Sequence, residues 1–414
     1  MELNRCSGFS DLTSEEMPRF RFAEDIFLLT SAEWGYEEIR TPTLEYLHLF
    51  TQAGTLTPGM LRRAYSFLDW DGWTGSRVVM RPDNTIPAVR YYIDAYGEGP
   101  ARLSYSAPIY VFDVDENKNR ERLQFGCELI GSSGSLADTE LIKMSIDILQ
   151  RLGAEKIKIK LSHAGVVRAA LEYMGLNSKE REDVFDAILN GKQNTLRKAI
   201  KDQETYKKIE TLLSVNGKTS SYIKNIAAVM GRSGGVQSRD LIDLCDMLSA
   251  TDVDFEVDFT VGKGFEYYTG MMFRIFADGK NVGGGGRYDR LIPTLGGDQT
   301  PAAGFALYVD HLMAYIDSEN LSVENYPKIQ IVLNNKKVKE SFDVASYLRD
   351  EGYSVVMRQN DAKSDACCCS CCGNNFCVYL QDDDVYVLED CADNSKKTVN
   401  SAEDLVKLLA GVYE

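Results

Sequence analysis

What this 414-residue chain lacks narrows its function before any motif is read. No run approaches 18 uninterrupted apolar residues, which argues against a membrane span. The opening "MELNRCSGFSDL" has no basic stretch followed by an apolar one, so no secretory signal is expected and a cytoplasmic location is. Positive charge is scarce: 46 Lys and Arg stand against 62 Asp and Glu, a net charge of −16. A protein that holds nucleic acid through its phosphates usually presents a basic face, so no nucleic-acid partner is expected. The three histidines, His48, His163 and His311, are too dispersed to suggest a metal site. His163, in "KLSHAG", reads equally as a structural or a functional residue. No hydrolase nucleophile motif occurs. "GGGGR" lacks the Lys-Ser/Thr of a phosphate loop and opens no helix. No cofactor is implied.

Cysteine is present but oddly placed. Six of ten crowd into "CCCSCCGNNFC", Cys367 to Cys377, and the others are scattered. This is no secreted disulfide framework. The C-x-x-C spacings inside the cluster could hold zinc or a redox pair. Without a second ligand pair at a finger-like spacing, a variable loop of small residues between two strands is the preferred reading.

Hydrophobic periodicity organises the rest. Residues 14–34 read as a helix, and "GYEEIRTPTLEYLHLF" as a strand ending at Pro42. "AYSFLDWDGWTGSRVVMRPDNT" reads as a hairpin. "RLSYSAPIYVFDV" and "RLQFGCELIG" read as an antiparallel pair, followed by the amphipathic helix "ADTELIKMSIDILQRLG" and the strand "KIKIKLS". Residues 164–250 read as an all-helical insertion. Strands return in "DFEVDFTV" and "GMMFRIFAD". "GGGGRYD" reads as a glycine-rich turn, and "AAGFALYVDHLMAYI" as a helix. After Pro327 comes a strand–helix–strand unit with a parallel pair. The expected plan is α+β: residues 1–326 form an antiparallel sheet with flanking helices and the insertion at 164–250, and residues 327–414 a small α/β domain.

Polar residues inside apolar strands mark a candidate site. Gln124 and Glu128, four apart on one strand, face the same side. A carboxylate buried there needs a partner. Asp83, Glu266, Tyr267 and Tyr268 supply further acceptors and hydroxyls. Such a set suits a ligand with an ammonium group and a ring, such as an amino acid; it would equally serve as a satisfied internal hydrogen-bond network.

Five motifs in this order, "RPDNT", "QFGCELIG", "KGFEYYTG", "GGGGRYD" and "GFALYVDHL", resemble the core of the histidyl-tRNA synthetase family. That family includes a non-catalytic paralogue, the regulatory subunit of ATP phosphoribosyltransferase. The resemblance spans residues 8–315, and "IKLSHAGVVRAALEYMGL" is similar to the paralogue's pattern. It implies a class II synthetase-like sheet and a histidine pocket at Asp83, Thr85, Gln124, Glu128, Lys263, Tyr267 and Tyr268. Three arginine positions of the synthetases depart: Val111 (or Asp113 in the alternative count), Lys263 and His311 stand where arginines hold ATP. Lysine keeps a charge but loses the planar fork, and without these arginines the charge developing on the α-phosphate is unsupported. No catalytic residue is therefore expected. The resemblance implies a short-form ATP phosphoribosyltransferase catalytic subunit as partner, a homodimer inside a hetero-oligomer, and histidine as effector. Residues 328–414 occupy the place of the synthetase's anticodon-binding domain, yet hold ten Lys and Arg against fifteen Asp and Glu, a net −5 poorly suited to RNA. The alternatives are an active histidyl-tRNA synthetase and a free-standing amino-acid-binding regulator.

Overall fold

Arg81 shows how the first part of the sheet is arranged. Its buried guanidinium donates to the carbonyls of Thr41 (2.8 Å), Pro42 (3.1 Å) and Pro108 (2.8 Å). With Thr41 and Pro42 taken up by this side chain, the expected single strand divides. The pieces are β1 (Glu37–Glu38), β2 (Leu44–Tyr46) and a short helix, Leu47–Gln52. These details come from a computed structural model. It describes residues 4–413 except 54–63, 71–74, 113–118, 190–199, 201, 214–215, 218–234, 262–267, 318–320, 322–326, 335, 360–374 and 382–384. Within the described residues the chain divides into two compact units, Met1–Leu321 and Ser322–Glu414.

In the first unit the remaining strands are β3 (Ser66–Trp70), β4 (Gly75–Met80), β5 (Ala101–Tyr110), β6 (Glu121–Ile130), β7 (Ile157–His163), β8 (Asn216–Gly217), β9 (Phe255–Asp258), β10 (Met271–Ala277), β11 (Lys280–Arg287) and β12 (Ala302–Tyr308). Eight of them join β1 in one nine-stranded sheet, in the order β1-β5-β6-β12-β11-β10-β7-β9-β8. Its centre, β5 to β7, is antiparallel throughout; β1 pairs parallel with β5, and β9 parallel with β7. The Met17–Glu33 and Gly134–Arg151 helices pack on it, with Phe27 stacked on Phe125 of β6 at 4.8 Å between ring centroids. A separate three-stranded sheet, β2-β4-β3, contains the expected hairpin.

Three readings of the sequence need correction here. "GGGG" is the middle of strand β11, and none of Gly283–Gly286 has a positive φ. Glycine is needed there for close approach: a Cβ on Gly285 would stand 2.1 Å from Gly304 O, and one on Gly283 2.5 Å from Ala306 O. "AAGFALY" is strand β12, paired on both sides with β6 and β11, and helix begins only at Val309. The block 164–250 is not all helical, since β8 within it pairs with β9. Its described helices are Ala164–Tyr173, Ser178–Leu189, Gln203–Leu213 and Gly235–Ala250.

The second unit is built from β13 (Lys328–Leu333), β14 (Ser354–Gln359), β15 (Phe376–Leu380), β16 (Tyr386–Asp390) and β17 (Lys396–Val399), in the order β14-β13-β15-β16-β17. β13 runs parallel to both β14 and β15, and the Val338–Asp350 helix makes the crossover to β14. Cys367–Cys372 lie outside the described residues. Cys377 is buried in β15, its thiol donating to Gln330 at 3.4 Å.

Candidate functional site

The site is built around Glu128, which β6 directs into a fully buried position. Room for it comes from across the ladder. Gly304 of β12 pairs with Glu128, and a Cβ on Gly304 would stand 1.9 Å from Glu128 Oε2. Gly126 pairs with Tyr105 of β5, and its missing side chain leaves space for the Tyr105 ring. Tyr105 then donates its hydroxyl to Glu128 Oε1 at 2.9 Å, and Tyr288 donates to Oε2. The Thr85 side chain lies near enough to this carboxylate to favour its ionised form. Burial is the largest influence on the acid and pushes its pKa up to about 8. The side chains of Tyr288, Thr85 and Tyr105 pull it back, while the charge of Asp83 raises it further.

The "RPDNT" turn delivers the next residues. Asp83 Oδ1 accepts the Ile86 N–H at 3.0 Å, which fastens the start of the Thr85–Ala95 helix. Asn84 is buried, and its amide donates to Ala107 O (3.2 Å) and to Gln124 Oε1 (3.1 Å), so Asn84 orients Gln124. Asn84 Oδ1 has no partner. Turning the Asn84 amide over would set its oxygen against the Ala107 carbonyl, so the orientation is fixed. Tyr268 lies buried beside Gly286, its ring 6.5 Å from that of Tyr288 and nearly parallel to it.

Of the expected site residues, Thr85 lies close enough to Glu128 to lower its pKa. Asp83 acts on Glu128 through its charge, and Gln124 joins through Asn84. Lys263 and Tyr267, like Glu266 and Asp113, lie outside the described residues. Sequence reasoning missed Tyr105, Tyr288 and Asn84. Asn84 and Tyr288 sit inside the quoted motifs "RPDNT" and "GGGGRYD"; for Tyr288 the available signal was a polar side chain directly after a glycine-rich strand.

The arginine positions are occupied by residues with other engagements. Val111 donates its N–H to Arg120 O at 2.8 Å and bridges to Ala64. His311, exposed, bonds Asn281 O through Nδ1 at 2.7 Å and meets the Tyr308 ring edge-on. Arg287, in "GGGGR", is buried against Asp138 and Asp289 and donates to Ser132 O at 3.1 Å, which makes it a structural cross-link. His163 accepts the Val166 N–H at 3.3 Å and caps the Ala164–Tyr173 helix; burial, with the nearby Arg287 charge, lowers its pKa to about 4. Among the described residues no cluster of His, Cys, Asp and Glu could hold a metal, and no helix is long and apolar enough to cross a membrane.

Comparison with known proteins places this geometry. The histidyl-tRNA synthetase family model matches residues 8–312. Over 412 residues the chain is 41% identical to an ATP phosphoribosyltransferase regulatory subunit of Dehalococcoides mccartyi (strain CBDB1), 98% of each chain being covered. It is 31% identical over 368 residues to the histidine–tRNA ligase of Archaeoglobus fulgidus, with 86% of each covered. Among solved structures, an ATP phosphoribosyltransferase regulatory subunit/histidyl-tRNA synthetase from Bacillus halodurans C superposes with a TM-score of 0.75 at 24% identity, covering 92% of this chain and 98% of that one. That likeness is one of fold. The chain belongs to the histidyl-tRNA synthetase family and, within it, to the ATP phosphoribosyltransferase regulatory subunits.

Proposed function

We propose that this chain is the non-catalytic regulatory subunit of an ATP phosphoribosyltransferase, serving the first step of histidine biosynthesis. In that step ATP and phosphoribosyl pyrophosphate give phosphoribosyl-ATP and pyrophosphate. The observation that carries the reading is the 41% identity, over 98% of both chains, to a regulatory subunit of that enzyme. Val111 and His311 support it: neither can hold an ATP α-phosphate as a planar arginine fork does.

The finer proposal concerns ligand and assembly. Asp83, Thr85, Gln124, Glu128, Lys263, Tyr267 and Tyr268 hold histidine as a feedback effector. A buried carboxylate with a raised pKa gains by taking a cationic partner, which stabilises its ionised form. The catalytic partner is of the short form, and the chain pairs with itself in the cytoplasm. Support for self-pairing comes from the β2-β4-β3 sheet, where Leu44, Tyr46, Phe67, Leu68 and Trp70 remain exposed, Trp70 at 67%. Residues 1–326 form the synthetase-like body, and 327–414 a separate docking module rather than an RNA-binding one.

Feedback requires that histidine favour one assembly state over another. The test is reconstitution of the purified chain with a short-form catalytic subunit. Phosphoribosyl-ATP formation should appear only with both chains and fall as histidine is added. A catalytic subunit equally active and equally histidine-sensitive alone would contradict the reading.

A further inference from the structure

Tyr268, one of the residues proposed above for the amino-acid pocket, also borders a recess whose two arginines take no part in that reading. The recess has a volume of about 160 Å3 and is lined by Arg168, Arg290, Tyr268, Thr269 and Thr294 together with small apolar surface. Its described lining holds two cations and no acid, in a chain whose net charge is −16.

The hydrogen-bonding inventory says what it takes. Thr294 donates its hydroxyl to Arg290 O at 2.6 Å, and Thr269 donates to Arg287 O at 3.3 Å. Both hydroxyl protons are thus committed to the backbone, and the guanidinium groups are the charged donors of the lining. Arg168 is positioned by the buried Phe185 ring, 4.5 Å from its guanidinium carbon. Arg290 follows Asp289, but Asp289 is engaged by Arg287, and Arg290 has no ion pair among the described residues. Arginine presents planar donor pairs that match the oxygens of a tetrahedral anion. The volume admits a phosphate or pyrophosphate group and falls well short of the few hundred Å3 typical of a site enclosing a larger ligand.

We infer that Arg168 and Arg290 form an oxyanion site for a phosphate or pyrophosphate group, either free or at the end of a larger ligand. The inference does not rest on the amino-acid reading of the Glu128 cluster, so either can fail alone.

The test is equilibrium dialysis of the full chain with radiolabelled orthophosphate and pyrophosphate, at constant ionic strength in chloride. Saturable binding of one pyrophosphate per chain is expected, weakened tenfold or more by Arg290→Gln and, separately, by Arg168→Gln. Both residues are exposed, so neither variant should disturb folding. A third arm uses a nucleoside diphosphate. Equal affinity through the same arginines would assign the pocket to the phosphate end of a larger ligand, and weaker binding would assign it to the free anion. Uptake that never saturates above the chloride background, or saturable binding unaffected by both substitutions, would overturn the site.

Discussion

Two regions on neighbouring strands have opposite character. Around Glu128, every element converges: glycines in β6 and β12 give up side-chain volume, two tyrosines aim hydroxyls inward beside a threonine, and Asn84 fixes an amide. Where β5 ends and after β12, at Val111 and His311, the side chains serve local contacts and nothing converges. The first region gathers hydrogen-bond donors around one buried carboxylate, and the second spends its side chains on local contacts. On the proposed function, binding and reaction would depend on different residues of one sheet, so one could be kept while the other is lost.

The largest effect should come from breaking the first region. Gly304→Val places a side chain on top of Glu128 Oε2, with backbone on the other side. It should destabilise the protein by about 3 kcal/mol, read as a lowered urea midpoint, and abolish amino-acid binding. A variant as stable as the parent would mean that the packing around Glu128 is looser than described.

Next in size is Glu128→Gln, whose effect depends on pH. The acid's pKa is raised in the folded chain to about 8 from an ordinary 4.5, so the folded protein keeps a proton that the unfolded chain loses. Its contribution to stability is intact below about pH 4.5 and declines as pH rises towards 8. Glutamine has no proton to lose. The variant should therefore gain on the parent across that window, by up to a few kcal/mol at about 1.4 kcal/mol per pH unit. Urea titrations at pH 5 and pH 8 check this; parallel stability curves for the two proteins would contradict it.

The smallest effect is expected in the second region. Val111→Arg combined with His311→Arg should leave histidine-dependent ATP–pyrophosphate exchange at background. Two arginines alone do not rebuild a preorganised site. Clear exchange would show that the region lacked only those two side chains and works with lysine at position 263.

The same contrast explains what was legible in the sequence. The β5–β6 pair and the β13–helix–β14 unit show in apolar patterning. β11 did not, because glycines carry no side chain to show a period, and its strand character comes from neighbours on both sides. β12, with "AAGFALY", has small apolar residues that fit either period; pairing with β6 and β11 decides it. In the site, Gln124 and Glu128 stood out as polar residues in an apolar strand. Tyr105 and Tyr288 did not, since a buried tyrosine reads as core until the acceptor for its hydroxyl is known. Gly304 had no visible meaning until the register set it opposite Glu128.

Calorimetric titration of the full chain with histidine, beside the Glu128→Ala variant, tests most directly whether this is a site that holds an amino acid. Saturable binding in the parent and none in the variant is predicted. No binding in the parent, or binding unchanged by the substitution, would contradict it.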